Sequence, residues 1–172
     1  VLAAEPGAAL AQQIWLVDRS GVARRMTNDL QDYRDLSLGN SAGIAIQTER
    51  RANIWIAPVG REAEGRQVTS TNYDGLGGIG WFPDGRIVYT QQSGAELDLW
   101  IKDATASQPH PLVQHAGVNR QPIISPDGRY VAACSVGAEL RGLWLIDLSS
   151  GSVTRPINVA HLPIWSPDGT EL

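Results

Sequence analysis

Two glycine-rich stretches of this chain carry spacings associated with catalysis. Gly39-Asn40-Ser41-Ala42-Gly43 has the G-x-S-x-G spacing of a nucleophile elbow. That device needs a strand before the serine and a helix after it, so that the hydroxyl is held strained and exposed. Here Ile44-Ala45-Ile46-Gln47-Thr48 follows, which reads as a strand, so a plain turn is expected. Gly75-Leu76-Gly77-Gly78-Ile79-Gly80 has the G-x-G-x-x-G spacing of a dinucleotide loop. Such a loop must open a helix whose N-terminus takes a pyrophosphate. Trp81-Phe82-Pro83-Asp84-Gly85 comes next and cannot start one, so the run is expected to be a crowded inner strand. His110, His115 and His161 lack metal-ligand spacing and join no carboxylate or cysteine cluster. His110, between Pro109 and Pro111, is expected in a solvated loop. No catalytic residue, metal ligand or cofactor is expected.

These stretches sit inside a repeat. Trp15, Trp55, Trp100 and Trp144 lie in apolar runs, at steps of 40, 45 and 44 residues. Interleaved are Trp81-Phe82-Pro83-Asp84-Gly85, Ile124-Ser125-Pro126-Asp127-Gly128 and Trp165-Ser166-Pro167-Asp168-Gly169, whose aspartates step by 43 and 41. A period of this length with two internal marks signals repeat architecture. Within one period, Leu76–Phe82, Ile87–Thr90, Leu97–Ile101 and the surroundings of Pro111-Leu112-Val113 read as strands. Pro-Asp-Gly supplies the first turn: proline presets φ, aspartate caps the backbone and glycine takes positive φ. Four short strands per period make one four-stranded antiparallel blade of a β-propeller. The expected fold is all-β, with repeats at about 1–32, 33–75, 76–118 and 119–159, and 160–172 opening the next blade. Val1-Leu2-Ala3-Ala4 aligns with a second strand, and Leu162–Trp165 with a first strand. Either the termini share one blade in a four-bladed ring, or the chain is an arc of a larger propeller; the mid-blade start favours the arc. The tryptophan runs are expected to supply the core between blades. Asp84, Asp127 and Asp168 are expected in turn capping, and Asp18, Asp103 and Asp147 in bonding local backbone at strand exits.

Composition agrees with a globular all-β chain. Of 172 residues, 42% are hydrophobic and 19% charged, and 18 glycines and 10 prolines mark frequent turns. Net charge is −4, and residues 1–66 balance eight arginines with eight acids. No basic face for nucleic acid is expected. No apolar run approaches the ~20 residues of a membrane-spanning helix, so no membrane insertion by this segment is expected. Cys134 is alone and reads as a buried small residue.

The Pro-Asp-Gly marks and the Leu/Ile-Trp-hydrophobic strands after them resemble the WD-repeat-like propeller repeat of TolB-type bacterial proteins. The likeness covers nearly the whole chain. Arg24-Arg25-Met26-Thr27-Asn28-Asp29, Tyr33-Arg34-Asp35-Leu36-Ser37-Leu38 and Gln47–Trp55 are similar to the C-terminal propellers of bacterial Ser/Thr protein kinases. Gly39-Asn40-Ser41 departs from the pattern, standing where Pro-Asp-Gly belongs. The resemblance implies a noncatalytic module that binds a protein, peptide or small ligand, linked to further domains and facing the periplasm or extracytoplasmic space. The parent would be a kinase-like signalling protein or a TolB-like envelope protein. The alternative is the gating propeller of a prolyl-oligopeptidase-like serine hydrolase whose catalytic domain lies elsewhere.

Propellers bind at the funnel around their axis, where loops lead into the innermost strands. Repeat register places Tyr33, Arg34, Asp35, Tyr73, Asp74, Asn119, Arg120 and His161 there. Arg34, Arg120 and His161 fall at or within a residue of equivalent sites, which would make a cationic rim for an acidic peptide or ligand.

Overall fold

The computed structural model describes residues 12–27, 31–93, 96–103, 105, 108–114, 118–136, 141–158 and 162–172. They form two compact units, Val1–Arg51 and Ala52–Leu172.

In the first unit, β1 (Trp15–Val17) pairs antiparallel with β2 (Ala23–Arg25). Asp18 turns the chain between them: its Oδ1 accepts from the Ser20 and Val22 backbone N–H groups. β3 (Asp32–Leu38) pairs antiparallel with β4 (Gly43–Thr48). Gly39-Asn40-Ser41-Ala42 closes this hairpin, with the Gly39 N–H donating to the Ala42 carbonyl at 2.7 Å. Ser41 therefore sits on a hairpin turn followed by a strand. The two hairpins are joined by partly buried polar bonds. Gln13 Nε2 donates to the Gln31 carbonyl, Thr27 Oγ1 donates to Gln13 Oε1, and the Gln12 N–H donates to Asp32 Oδ1.

The second unit begins with the short hairpin of β5 (Trp55–Ile56) and β6 (Arg66–Gln67), which brackets a single 3-10 turn at Glu62–Glu64. Then follow β7 (Ile79–Trp81), β8 (Arg86–Ser93), β9 (Glu96–Asp103) and β10 (His110–Val113), an antiparallel meander. A second meander consists of β11 (Val118–Ile124), β12 (Tyr130–Val136), β13 (Gly142–Asp147) and β14 (Val153–Ile157). One parallel bridge, Val118 to Leu97, links them. Each meander is one four-stranded blade.

Side chains alternate between the two faces of a strand, and among the described residues the alternation builds three separate clusters. Val88, Leu99 and Ile101, with Phe82, pack on Val131, Ala133 and Ile146 of the next blade. The intervening Ile87, Tyr89 and Trp100 point the other way, onto Ile54, Ile56 and Val68. The far face of the last blade, Ala132, Cys134 and Leu143, is covered by Trp165. Cys134 is buried, and that burial raises its pKa.

Several elements differ from their sequence expectation. The tryptophan runs do supply the core between blades, but through the residues beside the indole rather than the indole itself. Trp55 is 61% exposed, and Trp15, Trp100 and Trp144 are half-buried. The residues flanking Trp100, Leu99 and Ile101, fill the interior instead, because a three-residue apolar run leaves open which alternate face is covered. The strand expected from Leu76 is ladder-paired only from Ile79, since Gly75 and Gly78 take positive φ and bend the chain first. Leu162–Trp165 forms no ladder, although its Pro-Asp-Gly turn does form. The second repeat is laid down as two separate two-stranded hairpins, β3–β4 and β5–β6, rather than one four-stranded ladder. His110 opens β10 opposite Ile101 and is not in a loop. Val1–Ala4 and His115 lie outside the described residues.

The aspartates at turns and strand exits hold the repeat together. The backbone N–H groups of Arg86, Arg129 and Thr170 donate to Oδ1 of Asp84, Asp127 and Asp168. In the last two turns a serine hydroxyl closes the loop: Ser125 and Ser166 each donate to that aspartate and accept from the N–H five residues on. Strand-exit Asp103 and Asp147 accept from the Thr105 and Ser149 N–H groups. Asp147 also pairs with Arg129 at 2.9 Å. The Arg129 guanidinium and then the Ser149 hydroxyl hold Asp147 well below the ordinary carboxylate range. The Ser166 hydroxyl, with the Thr170 N–H and hydroxyl, holds Asp168 at about 2. A carboxylate depressed in the folded state stabilises the fold above its unfolded pKa and loses that contribution as pH falls through the folded value. Melting temperature is therefore expected to fall as pH drops below the ordinary aspartate value of 3.8 toward 2. Asp147→Asn and Asp168→Asn should each flatten that part of the curve. A slope unchanged in both variants, measured by thermal melts at stepped pH, would contradict this origin.

Candidate functional site

Tyr33, Arg34 and Asp35 lie on β3, and Asn119 and Arg120 on β11, each in its own compact unit, and a backbone irregularity recurs in both strands. β3 and β4 pair in register from Asp32 to Arg34, slip, and resume at Ser37. β11 and β12 pair from Val118 to Arg120, slip, and resume at Ile123. Both slips are bulges with a non-glycine residue in the left-handed region: Asp35 at φ 49° and Gln121 at φ 53°. The residue 43 positions before Gln121 is Gly78, also at positive φ. A bulge bends the strand and re-aims its side chains. Arg34 and Arg120 each hold the last paired position before the slip, opposite Ile46 and Cys134. Repeat register thus put the two arginines at equivalent places, but Tyr33–Asp35 and Asn119–Arg120 lie within strands rather than in loops leading to them. The bulge absorbs the turn expected before the strand.

Each side chain is held differently. Arg34, half-exposed, reaches back to Asp32 at 2.8 Å. Burial disfavours the Asp32 charge, but the Gln12 N–H and the Arg34 guanidinium outweigh it, and its pKa is lowered. The Arg34 charge is thereby compensated, which weakens a cationic rim at that blade. The Tyr33 hydroxyl accepts from Gln47 Nε2. Asn119 is buried, and its Nδ2 donates to the Leu97 carbonyl, beside the bridge between the two blades. Tyr73 bridges Ala52. Asp74 is 2% exposed and accepts from both the N–H and the hydroxyl of Thr71, so it caps a turn rather than facing solvent. Arg120, Gln121 and Asp35 are exposed. His161 lies outside the described residues. Gln121 was missed by sequence reasoning. Aspartate tolerates the left-handed region, so Asp35 carried a faint signal, whereas glutamine carries none.

The glycine-rich run has a packing explanation. A Cβ on Gly77 would lie 2.9 Å from Leu97 Cδ1 and 3.0 Å from the Asn119 carbonyl, and one on Gly80 would strike Ile124 Cδ1. The Gln121 N–H donates to the Gly77 carbonyl at 2.7 Å. These glycines let the chain into β7 approach β11 closely, and no helix follows them. Among the described residues no three His, Cys, Asp or Glu side chains gather as a metal site requires. Among the same residues no helix is long and apolar enough to cross a membrane.

Four-stranded antiparallel blades stacked face to face, with irregular inner strands, define the β-propeller class. The chain is similar in fold to TolB structures. It matches a putative TolB from Agrobacterium tumefaciens at TM-score 0.54 and 17% identity, over 83% of this chain and 54% of that one. It matches TolB from Acinetobacter baumannii at TM-score 0.54 and 15% identity, over 92% of this chain and 41% of that one. The chain therefore spans about half, or less, of the length of these relatives. No family model matches the chain, and no curated protein matches it.

Proposed function

We propose that this chain is a noncatalytic binding segment, an arc of a larger β-propeller that takes a protein, peptide or small ligand at the positions its repeat register assigns to the funnel. The paired left-handed residues Asp35 and Gln121 carry this reading. Strain of this kind concentrates where side chains are aimed for use, and here it recurs at one register position beside an arginine. The parent is a larger bacterial protein, either a kinase-like signalling protein or a TolB-like envelope protein, with the propeller outside the cytoplasm. The TolB-like fold supports the envelope reading, and the similarity of Arg24–Asp29, Tyr33–Leu38 and Gln47–Trp55 to kinase-linked propellers supports the other. An arginine at the equivalent register position of two repeats suits an acidic partner.

An array of acidic peptides probed with the chain tests the reading. Binding is expected to weaken as salt rises. The combined replacement of Arg34, Arg120 and His161 by alanine is expected to reduce it at least tenfold, while Asp32→Asn, which releases Arg34 from its partner, should strengthen it. Equal retention of acidic and neutral peptides, or a triple variant that binds like the parent, would remove the proposal.

A further inference from the structure

The hairpin of β1 and β2 presents an open strand edge. All three residues of β2, Ala23, Arg24 and Arg25, are exposed, and among the described residues β1 is their only ladder partner. The Asp18 N–H donates to the Val22 carbonyl, and the Met26 N–H to the Ile14 carbonyl. In an antiparallel ladder such bonded pairs alternate with pairs whose backbone groups point outward. The Leu16–Arg24 pair between these two bonds therefore faces inward, and Ala23 and Arg25 direct their N–H and carbonyl groups away from β1. An edge of this kind is a template for a further strand.

The charge of this ribbon is one-sided. Arg19, Arg24 and Arg25 enter no salt bridge among the described residues. The one acid between Trp15 and Met26 is Asp18. Its carboxylate is taken up by the turn, where Oδ1 accepts from the Ser20 and Val22 N–H groups and the Ser20 hydroxyl. Side chains alternate along a strand, so the two arginines of β2 lie on opposite faces. The Arg25 guanidinium lies over the Trp15 ring, 6.0 Å from its centroid. Arg24 shares the other face with Val22 and Met26, which are 63% and 52% exposed. Apolar surface and unmatched positive charge thus flank the same open edge.

We propose that β2 binds an extended acidic peptide as a third, antiparallel strand. Main-chain bonds to Ala23 and Arg25 supply affinity, and the alternating side chains supply specificity. The peptide residues opposite Arg24 and Arg25 are Asp or Glu, one on each face. Those opposite Val22 and Met26 are apolar, so the pattern is apolar, acid, acid, any residue, apolar. Opposite charges directly across a ladder stabilise it and like charges destabilise it, so a second copy of this edge is refused. A bilayer would meet the arginines but leave the outward N–H and carbonyl groups without partners. This reading does not depend on the funnel positions proposed above.

Fluorescence anisotropy with the labelled peptide Thr-Val-Glu-Glu-Thr-Val-Thr tests this. The same peptide with lysine for both glutamates, and vesicles of phosphatidylglycerol, are the comparators. The acidic peptide is expected to bind saturably, at least tenfold tighter than the lysine peptide, and less tightly as salt rises. Arg24→Glu combined with Arg25→Glu should reverse the preference, so that the lysine peptide binds instead. Ala23→Pro removes an outward N–H and no bond to β1, as proline on an edge strand can. It should weaken binding at least tenfold with the melting temperature unchanged. No saturable binding of the acidic peptide, equal binding of the two peptides, an unaltered preference in the double variant, or full binding by Ala23→Pro would overturn the proposal. So would binding of the vesicles without binding of the acidic peptide.

Discussion

Phe82→Ala is expected to cost about 3–5 kcal/mol, the range for emptying a fully buried aromatic site. Against a total stability of roughly 5–15 kcal/mol, that would leave a large fraction of the chain unfolded. Phe82 has no exposed surface and sits among Val88, Leu99, Ile101, Val131, Ala133 and Ile146, where two blades meet. These neighbours come from both blades, so the void cannot close without moving one blade on the other. The Arg86 guanidinium lies over the ring, 4.8 Å from its centroid, and would lose that support as well. The adjacent Trp81 is the larger ring and the more conspicuous mark of the repeat, yet it is 56% exposed. Trp81→Ala should cost only roughly 1–2 kcal/mol from the area it still covers. Urea unfolding followed by circular dichroism separates the two. If Trp81→Ala proved the more damaging, the inner face assigned to Phe82, Val88 and Leu99 would be wrong.

That contrast marks how far the sequence could be read. The Pro-Asp-Gly turns fix a hairpin by local chemistry alone, through ring constraint, capping and positive φ. The two blades that carry full copies of the turn, followed by a complete set of strands, came out strand by strand with small shifts in their ends. Where Gly39-Asn40-Ser41 replaces it, the hairpin survives, but the repeat divides between Gly43–Thr48 and Trp55–Ile56. Facing was not legible. In Leu99-Trp100-Ile101 all three residues are apolar, so period-2 alternation does not say which set turns inward. Only the neighbouring blade decides, and it selects the smaller branched chains over the indole.

The inner-strand face was legible in position but not in conformation. Repeat register alone aligned Arg34 with Arg120, and their ladder positions do correspond. A bulge leaves no compositional mark when its left-handed residue is glutamine, so Gln121 and the slip beside it were invisible. The buried roles of Asp74 and Asn119 were hidden for a different reason. Both are polar residues held by one distant or local partner, the Leu97 carbonyl for Asn119 and Thr71 for Asp74. A polar side chain looks solvated in a sequence until its partner is known.

Gly78→Ala is expected to destabilise the chain by about 3 kcal/mol or more, two penalties falling on one residue. Gly78 has φ 136°, a region that side-chain-bearing residues rarely adopt. Forcing alanine there costs about 1–3 kcal/mol. The new Cβ would also lie 2.9 Å from Pro122 Cδ, 3.0 Å from Gln121 Cα and 3.1 Å from Gln121 N. Two of these are backbone atoms of β11 and the third belongs to a proline ring, so no flexible side chain can swing aside. Shifting the Gly78 backbone would break its N–H bond to the Gly75 carbonyl and the Thr90 N–H bond to its own carbonyl, 3.0 and 3.1 Å long. Gly85→Ala separates the two penalties. Gly85 has φ 89°, but a Cβ there would meet nothing within 4 Å, so it bears conformational strain alone. For a chain of this size, each kcal/mol moves the melting temperature by about 2–4 °C. The Gly78 variant should therefore melt roughly 6–12 °C below the parent, and clearly below the Gly85 variant. Equal melting temperatures for the two variants would mean that β11 does not approach Gly78 this closely, and the close contact between the inner strands of the two blades would have to be redrawn.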